Sequence, residues 1–201
     1  MVAIIDYDAG NTLNVQKACE ALGMEAVLTK DADAILKAER AILPGVGAFG
    51  SAMERLQAYG LVPAIREFVR SGRPFLGICL GLQLLFEESE ESPGVPGLAL
   101  LEGKILKFPE KEGLRVPHMG WNSLTFPKKS RLFSAVEEHS YVYFVHSYYL
   151  KAKDPEVVAA QSEYGLSFDA AVEAGNVFGA QFHPEKSGEV GLSILREFLR
   201  L

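Results

Sequence analysis

The chain is poor in cysteine, in basic charge and in long apolar runs, and each shortage removes a class of function. Two cysteines, Cys19 and Cys79, stand far apart among 201 residues in unlike surroundings. They supply neither a disulfide framework nor a zinc cluster, so any cysteine chemistry belongs to a single thiol. Twenty Lys and Arg against 26 Asp and Glu give a formal net charge of −6. A polyanion binder needs a basic face, which puts nucleic acid and anionic membrane outside the expected partners. The longest strongly apolar run, Phe75 to Phe86, contains Gln83 and two glycines and falls short of the about 20 residues that span a bilayer. The first residues, Met1-Val2-Ala3-Ile4-Ile5-Asp6-Tyr7, lack the basic region and cleavage site of a secretory signal and read as a strand, so the expected location is the cytoplasm.

What is present is core material. Hydrophobic residues make up 48% of the chain and aromatics 10%, enough at this length for one well-buried core. In the first half, strand-like runs (Val2–Tyr7, Glu25–Leu28, Arg40–Leu43, Pro74–Ile78) alternate with helical patterns (Thr12–Leu22, Gly50–Tyr59, Leu61–Arg70 and a helix from Leu80). Alternation of this kind predicts an α/β fold with an open, largely parallel sheet flanked by helices. From Gly103 onward the pattern changes to strands separated by turns: Lys104–Phe108, Ser140–Leu150, Val157–Gln161, Ser167–Ala174 and Asn176–Phe182, before a closing helix over Ser187–Leu201. These extend the sheet with antiparallel strands. The acidic, Ser-, Pro- and Gly-containing stretch Glu87–Gly97 has the composition of a linker. Candidate catalytic residues lie on both sides of it, so it is read as a surface loop within a single domain, residues 1–201.

Gly77 and Gly81 flank Cys79 at −2 and +2, the spacing of a nucleophile elbow in which a buried strand turns tightly into a helix. Residues without a Cβ at those places let strand and helix approach closely. The first N–H groups of the new helix then face the sulfur, favouring the thiolate and any oxyanion formed beside it. Cys19, at helical spacing with Val15 and Leu22, reads as core.

A thiol nucleophile needs a proton acceptor. In Gln181-Phe182-His183-Pro184-Glu185, the proline keeps His183 out of the α region, so an extended segment is expected with side chains 183 and 185 on one side. Glu185 can then hold one imidazole nitrogen and leave the other for the thiol. Of the other histidines, His118 and His146 read as packing or partner-contact residues and His139 as a solvated turn residue. A second glycine loop, Pro44-Gly45-Val46-Gly47, follows a strand and is expected at the same sheet edge as Cys79. The backbone N–H groups of Val46 and Gly47, with that of Leu80, are the expected oxyanion donors.

The Pro-Gly-Val-Gly loop, the Gly-Ile-Cys-Leu-Gly elbow and the His-Pro-Glu segment, in this order, resemble the class I (triad) glutamine amidotransferases over practically the whole chain. Asp6–Asn11, Pro117-His118-Met119-Gly120-Trp121-Asn122 and Phe144–Tyr149 are similar to the members that serve histidine biosynthesis. The resemblance implies that Cys79 attacks the side-chain amide of glutamine, that His183 protonates the departing ammonia and activates water, and that Glu185 holds the ring. It further implies that Gln83 and the segment His146, Ser147 and Tyr148 bind the glutamine head, and that no cofactor or metal takes part. Free ammonia becomes ammonium in neutral water, and one amidotransferase domain leaves no segment to receive it. The implied partner is therefore a separate cyclase subunit of (β/α)8-barrel fold, in a heterodimer. Met119 and Trp121 are then a docking patch, unless Trp121 packs in the core, with Asn11 and Lys186 beside the catalytic mouth. The contrasting readings are a glutaminase subunit of another synthase and a cysteine hydrolase that works without a partner.

Overall fold

Continuous apolar runs bounded by glycine or proline become central parallel strands, because a strand covered by helices on both faces needs apolar side chains at every position. The computed structural model describes residues 1–201. It places β1 (Val2–Ile5), β2 (Ala26–Thr29), β3 (Arg40–Gly45) and β4 (Phe75–Cys79) side by side and parallel in the order β2-β1-β3-β4. They are linked through α1 (Thr12–Ala21), α2 (Ala32–Lys37), and the successive helices α3 (Phe49–Ala58) and α4 (Leu61–Arg70). After α5 (Leu80–Leu84) come β5 (Glu88–Ser89), β6 (Gly103–Lys107), β7 (His118–Ser123), β8 (Tyr141–His146), β9 (Tyr148–Ala152), β10 (Val158–Glu163), β11 (Ser167–Ala174), β12 (Val177–Ala180) and α6 (Gly188–Arg200).

The sheet continues from β4 through β12, β11, β9, β6 and β5, with β10 branching from β11. β12 lies parallel to β4 and antiparallel to β11, so it joins the parallel half to the antiparallel half. This is the expected α/β architecture. One face is covered by α1 and α6, whose Val15, Cys19, Ile194, Leu195 and Phe198 are buried in one apolar cluster. The opposite cluster holds Ile35, Leu56, Ile65 and Phe68 of α2, α3 and α4. No helix is long and apolar enough to cross a membrane.

Three details differ from the sequence reading. The run Ser140–Leu150 is two strands, not one: β8 pairs with β7 in a separate two-stranded sheet, while β9 joins the main sheet. The chain changes sheets at Ser147, whose carbonyl accepts the Phe108 N–H at 3.1 Å; alternation alone carries no mark of such a switch. His118–Ser123, read only as a motif, is a strand. The short helix α2 has too few residues for a period to register, although Asp31 caps it by accepting the Asp33 N–H at 2.9 Å. The stretch Glu87–Gly97 is tied down at the start of α3. Ala48 has no side-chain oxygen to cap that helix, and the carboxylate of Glu91 accepts the Phe49 N–H at 2.7 Å while the Ser92 hydroxyl accepts the Gly50 N–H at 2.9 Å.

Candidate active site

Register carries distant residues to one edge. β3 pairs with β4 so that Gly45 lies opposite Cys79, which sets the Val46-Gly47 turn beside the thiol. On its other side β4 pairs with β12, Ile78 opposite Ala180, so the chain running on through Gln181 to Glu185 emerges at the same carboxyl edge. This is where open parallel sheets leave a crevice. A cleft of about 330 Å³ opens there, lined by Val46, Gly47, Cys79, Leu80, Gln83, Glu91, His146, Ser147, Tyr148 and His183, among others.

Cys79 ends β4 with φ 56° and ψ −109°, a conformation that costs a non-glycine residue energy and turns its side chain out of the sheet. The flanking glycines make the turn possible. A Cβ at Gly77 would stand 2.5 Å from the Gly81 carbonyl oxygen, and one at Gly81 would run into the carbonyl of Leu43. The helix that follows is five residues long, so what it offers the sulfur is its first-turn N–H groups rather than the dipole of a long helix. The thiol donates toward the Val145 carbonyl at 3.9 Å and receives the Gln181 carboxamide N–H at 3.7 Å.

His183 and Glu185 meet, by a different geometry from the one expected. His183 is extended, with φ −100° and ψ 98°, but Pro184–Lys186 is a 3₁₀ turn, and the turn rather than a strand brings the carboxylate back to the ring. Proline suits the first position of such a turn because its fixed φ needs no donor there. Nδ1 of His183 donates to Oε1 of Glu185 at 2.8 Å, with the two side chains 3% and 1% exposed. Since a carboxylate only accepts, the proton on Nδ1 is fixed, and Nε2 remains without a hydrogen-bond partner. Burial works to lower the ring's pKa, but the neighbouring Cys79 and Glu185 outweigh it and push it up to about 10.

Gln83 donates to the Tyr148 carbonyl and to Gln181 Oε1, each at 3.1 Å. His146 Nδ1 donates to the same Tyr148 carbonyl at 2.8 Å, and its Nε2 lies 3.0 Å from His118 Nδ1. The tautomers follow: His146 must accept on Nε2, so His118 donates from Nδ1. Burial pushes His118 down to about 4 and His146 to about 3, with the backbone bond opposing the shift in His146. His118 is packed as expected, stacked on Tyr164 at 3.9 Å, and His139 sits exposed in a turn. Cys19 is fully buried, its thiol pushed up to about 12 by burial.

Met119 and Trp121 are 62% and 54% exposed on β7, so Trp121 is not a core residue. Trp121 packs edge-on against Tyr143 at 6.1 Å, and the ammonium of Lys186 lies 6.0 Å from the same ring. Tyr143 is stitched to the turn that carries Glu185: its carbonyl accepts the His183 N–H at 3.0 Å and its N–H donates to the Ser187 hydroxyl at 3.0 Å. Asn11 begins α1 without using its side chain as a cap, and α1 packs against the turn that carries Glu185. Glu91, Pro117 and Val145 line the cleft, and Gln181 lies fully buried behind it against the thiol; sequence reasoning assigned none of them to the site. Gln181 sits in an apolar run and touches the thiol only through folding, and Glu91 was hidden in an acidic stretch.

The chain is similar to proteins named imidazole glycerol phosphate synthase subunit HisH. It shares 52% identity over 197 residues with that of Moorella thermoacetica, covering 98% of this chain and 93% of the relative. It shares 47% over 201 residues with that of Methanothermobacter thermautotrophicus, covering 100% and 98%. Among solved structures, one described as a glutamine amidotransferase superposes with a TM-score of 0.77 at 22% identity, covering 100% of this chain and 98% of the other. The PurLQS structure from Thermotoga maritima gives 0.74 at 23%, covering 99% and 97%; both likenesses concern the fold. The model of the glutamine amidotransferase class-I family matches residues 3–201, and the chain belongs to that family.

Proposed function

We propose that this chain is the glutaminase subunit of an imidazole glycerol phosphate synthase, folded as one domain over residues 1–201. The observation that carries the reading is the convergence of Cys79, the free Nε2 side of His183 and the Val46-Gly47 turn on one cleft. An amide is a poor electrophile with a poor leaving group, and needs a nucleophile, an acid and an oxyanion site together.

Cys79 sulfur attacks the side-chain carbonyl carbon of L-glutamine, and the oxygen takes up the negative charge facing the N–H groups of Val46, Gly47 and Leu80. The carbon–nitrogen bond breaks as Nε2 of His183 gives its proton to the nitrogen, releasing ammonia and leaving a glutamyl thioester. A ring held at a pKa of about 10 carries that proton at neutral pH. Water, giving its proton back to Nε2, attacks the thioester; the carbon–sulfur bond breaks and glutamate leaves. Gln83 and the segment His146, Ser147 and Tyr148 seat the amino acid's head. The product ammonia passes to a cyclase subunit of (β/α)8-barrel fold bound over Met119, Trp121, Lys186 and Asn11. There it reacts with a ribulosyl aminoimidazole carboxamide nucleotide, which is split into imidazole glycerol phosphate and the aminoimidazole carboxamide ribotide of histidine biosynthesis, in the cytoplasm.

The test is Cys79→Ala in the complex with the cyclase. Glutamine-dependent synthesis should vanish while synthesis from added ammonium salt continues. Retained glutamine use removes the nucleophile, and vigorous hydrolysis by the purified chain alone favours a partner-independent cysteine hydrolase.

A further inference from the structure

Gln181 follows β12 and is fully buried, yet it touches the nucleophile. A carboxamide can turn by 180° without changing shape, so what it shows the sulfur depends on what fixes its orientation. Here the fixed point is a backbone atom. The Tyr148 carbonyl can only accept, so Gln83 must present its nitrogen there, at 3.1 Å. The same NH₂ group has its second hydrogen for Gln181, whose oxygen is therefore turned toward Gln83, at 3.1 Å. The nitrogen of Gln181 is left to face Cys79 Sγ, at 3.7 Å. His146 donates to the same Tyr148 carbonyl at 2.8 Å, and with two donors that oxygen is a firm anchor.

We propose that Gln181 is a further catalytic residue: its N–H steadies the Cys79 thiolate before attack, with a polarity imposed from Tyr148 through Gln83. The inference rests on Cys79 being the nucleophile. A donor aimed at sulfur in a water-poor wall favours the charged form of the nucleophile, and its effect ends when acylation removes the charge. Turned the other way, the same carboxamide would set an oxygen against the thiolate and oppose it. Because Gln83 and Tyr148 also line the cleft, the residues that meet substrate are those that hold the Gln181 amide in place.

The experiment is the pH profile of iodoacetamide alkylation of Cys79 in the full chain, read by peptide mass spectrometry so that Cys19 is counted separately. Gln181→Met keeps length and removes the donor; Gln181→Glu keeps shape and sets an oxygen against the sulfur. The alkylation midpoint should rise in both, more in the second. For Gln181→Met this means alkylation about three- to tenfold slower at pH 7, the worth of one ordinary hydrogen bond, as suits a long contact to sulfur. Gln83→Met, which leaves Gln181 in place but unclamped, should move the midpoint in the same direction by less, and it carries the test if either Gln181 variant does not fold. Midpoints equal to wild type in the folded variants overturn the proposal. Protection of wild-type Cys79 by glutamine is measured alongside: its failure sinks the glutaminase reading, whereas unshifted midpoints with protection intact sink the role of Gln181 alone.

Discussion

Nδ1 of His183 and Oε1 of Glu185 lie 2.8 Å apart, with almost all of both side chains buried. Against the opposing effect of burial, Cys79 and then Glu185 raise the ring's pKa to about 10 from an ordinary 6.5. A group whose folded pKa is raised contributes stability that is whole below the unfolded value and lost as pH rises through the folded one. The window is therefore about pH 6.5 to 10. Urea unfolding at pH 6 and pH 10 should show a larger loss for wild type than for Glu185→Gln, and glutamine-dependent turnover should fall about 100-fold in the variant. Equal losses in the two proteins contradict the pairing.

The His118–His146 pair has the opposite sign. Burial holds both rings below the ordinary value, at about 4 and about 3. Their contribution is complete above about pH 6.5 and disappears as pH falls toward 3, because the unfolded chain takes up protons that the folded one refuses. His118→Gln keeps a donor for His146 Nε2 but does not titrate. Its melting temperature should fall less steeply than that of wild type between pH 6.5 and 4. Parallel slopes would show that His118 titrates freely.

Two glycines separate space from backbone conformation. At Gly81 a Cβ would collide with the Leu43 carbonyl, whereas at Gly23, with φ 80°, nothing lies within 4 Å. Gly23→Ala meets only the left-handed penalty of about 1 kcal/mol. Gly81→Ala meets backbone and should cost about 3 kcal/mol or more, lowering the melting temperature by about 6–12 °C. Calorimetry on the two variants gives the comparison; a similar fall in both would mean that the elbow can relax.

Trp121 offers a large aromatic surface to solvent. Trp121→Ala should leave the free chain's stability within about 0.5 kcal/mol of wild type, since little packing is lost. Cyclase affinity, measured by calorimetric titration, should drop at least about tenfold, as for a central aromatic anchor. An unchanged affinity moves the interface elsewhere.

The first half was legible because β1, β3 and β4 are apolar at nearly every position and their helices end at glycine. Gly23 and Gly72, for example, take positive φ at helix ends. The Cys79 elbow was legible because its glycines sit at fixed offsets and answer a purely local steric need. The His183–Glu185 pairing was visible as residue types, but its route through a 3₁₀ turn was not, since proline permits either conformation for the residues that follow. The break at Ser147 left no trace because both strands alternate in phase with a single longer one. Gln181 was invisible for a different reason: its partners, Gln83 and Cys79, reach it through the pairing of β4 with β12, and no local pattern announces a contact set by sheet order.

That sheet order also has a meaning in time. β12 fills the gap between β4 and β11, yet it leaves the ribosome after almost everything else. Until then the edge of β4 has no neighbour there, and the elbow exists without His183 and Glu185 beside it. Such late, non-local pairing slows folding and leaves an adhesive edge open during synthesis. A nascent chain stopped before Val177 thus carries an open strand edge beside Cys79 and has neither His183 nor Glu185 to set against the thiol.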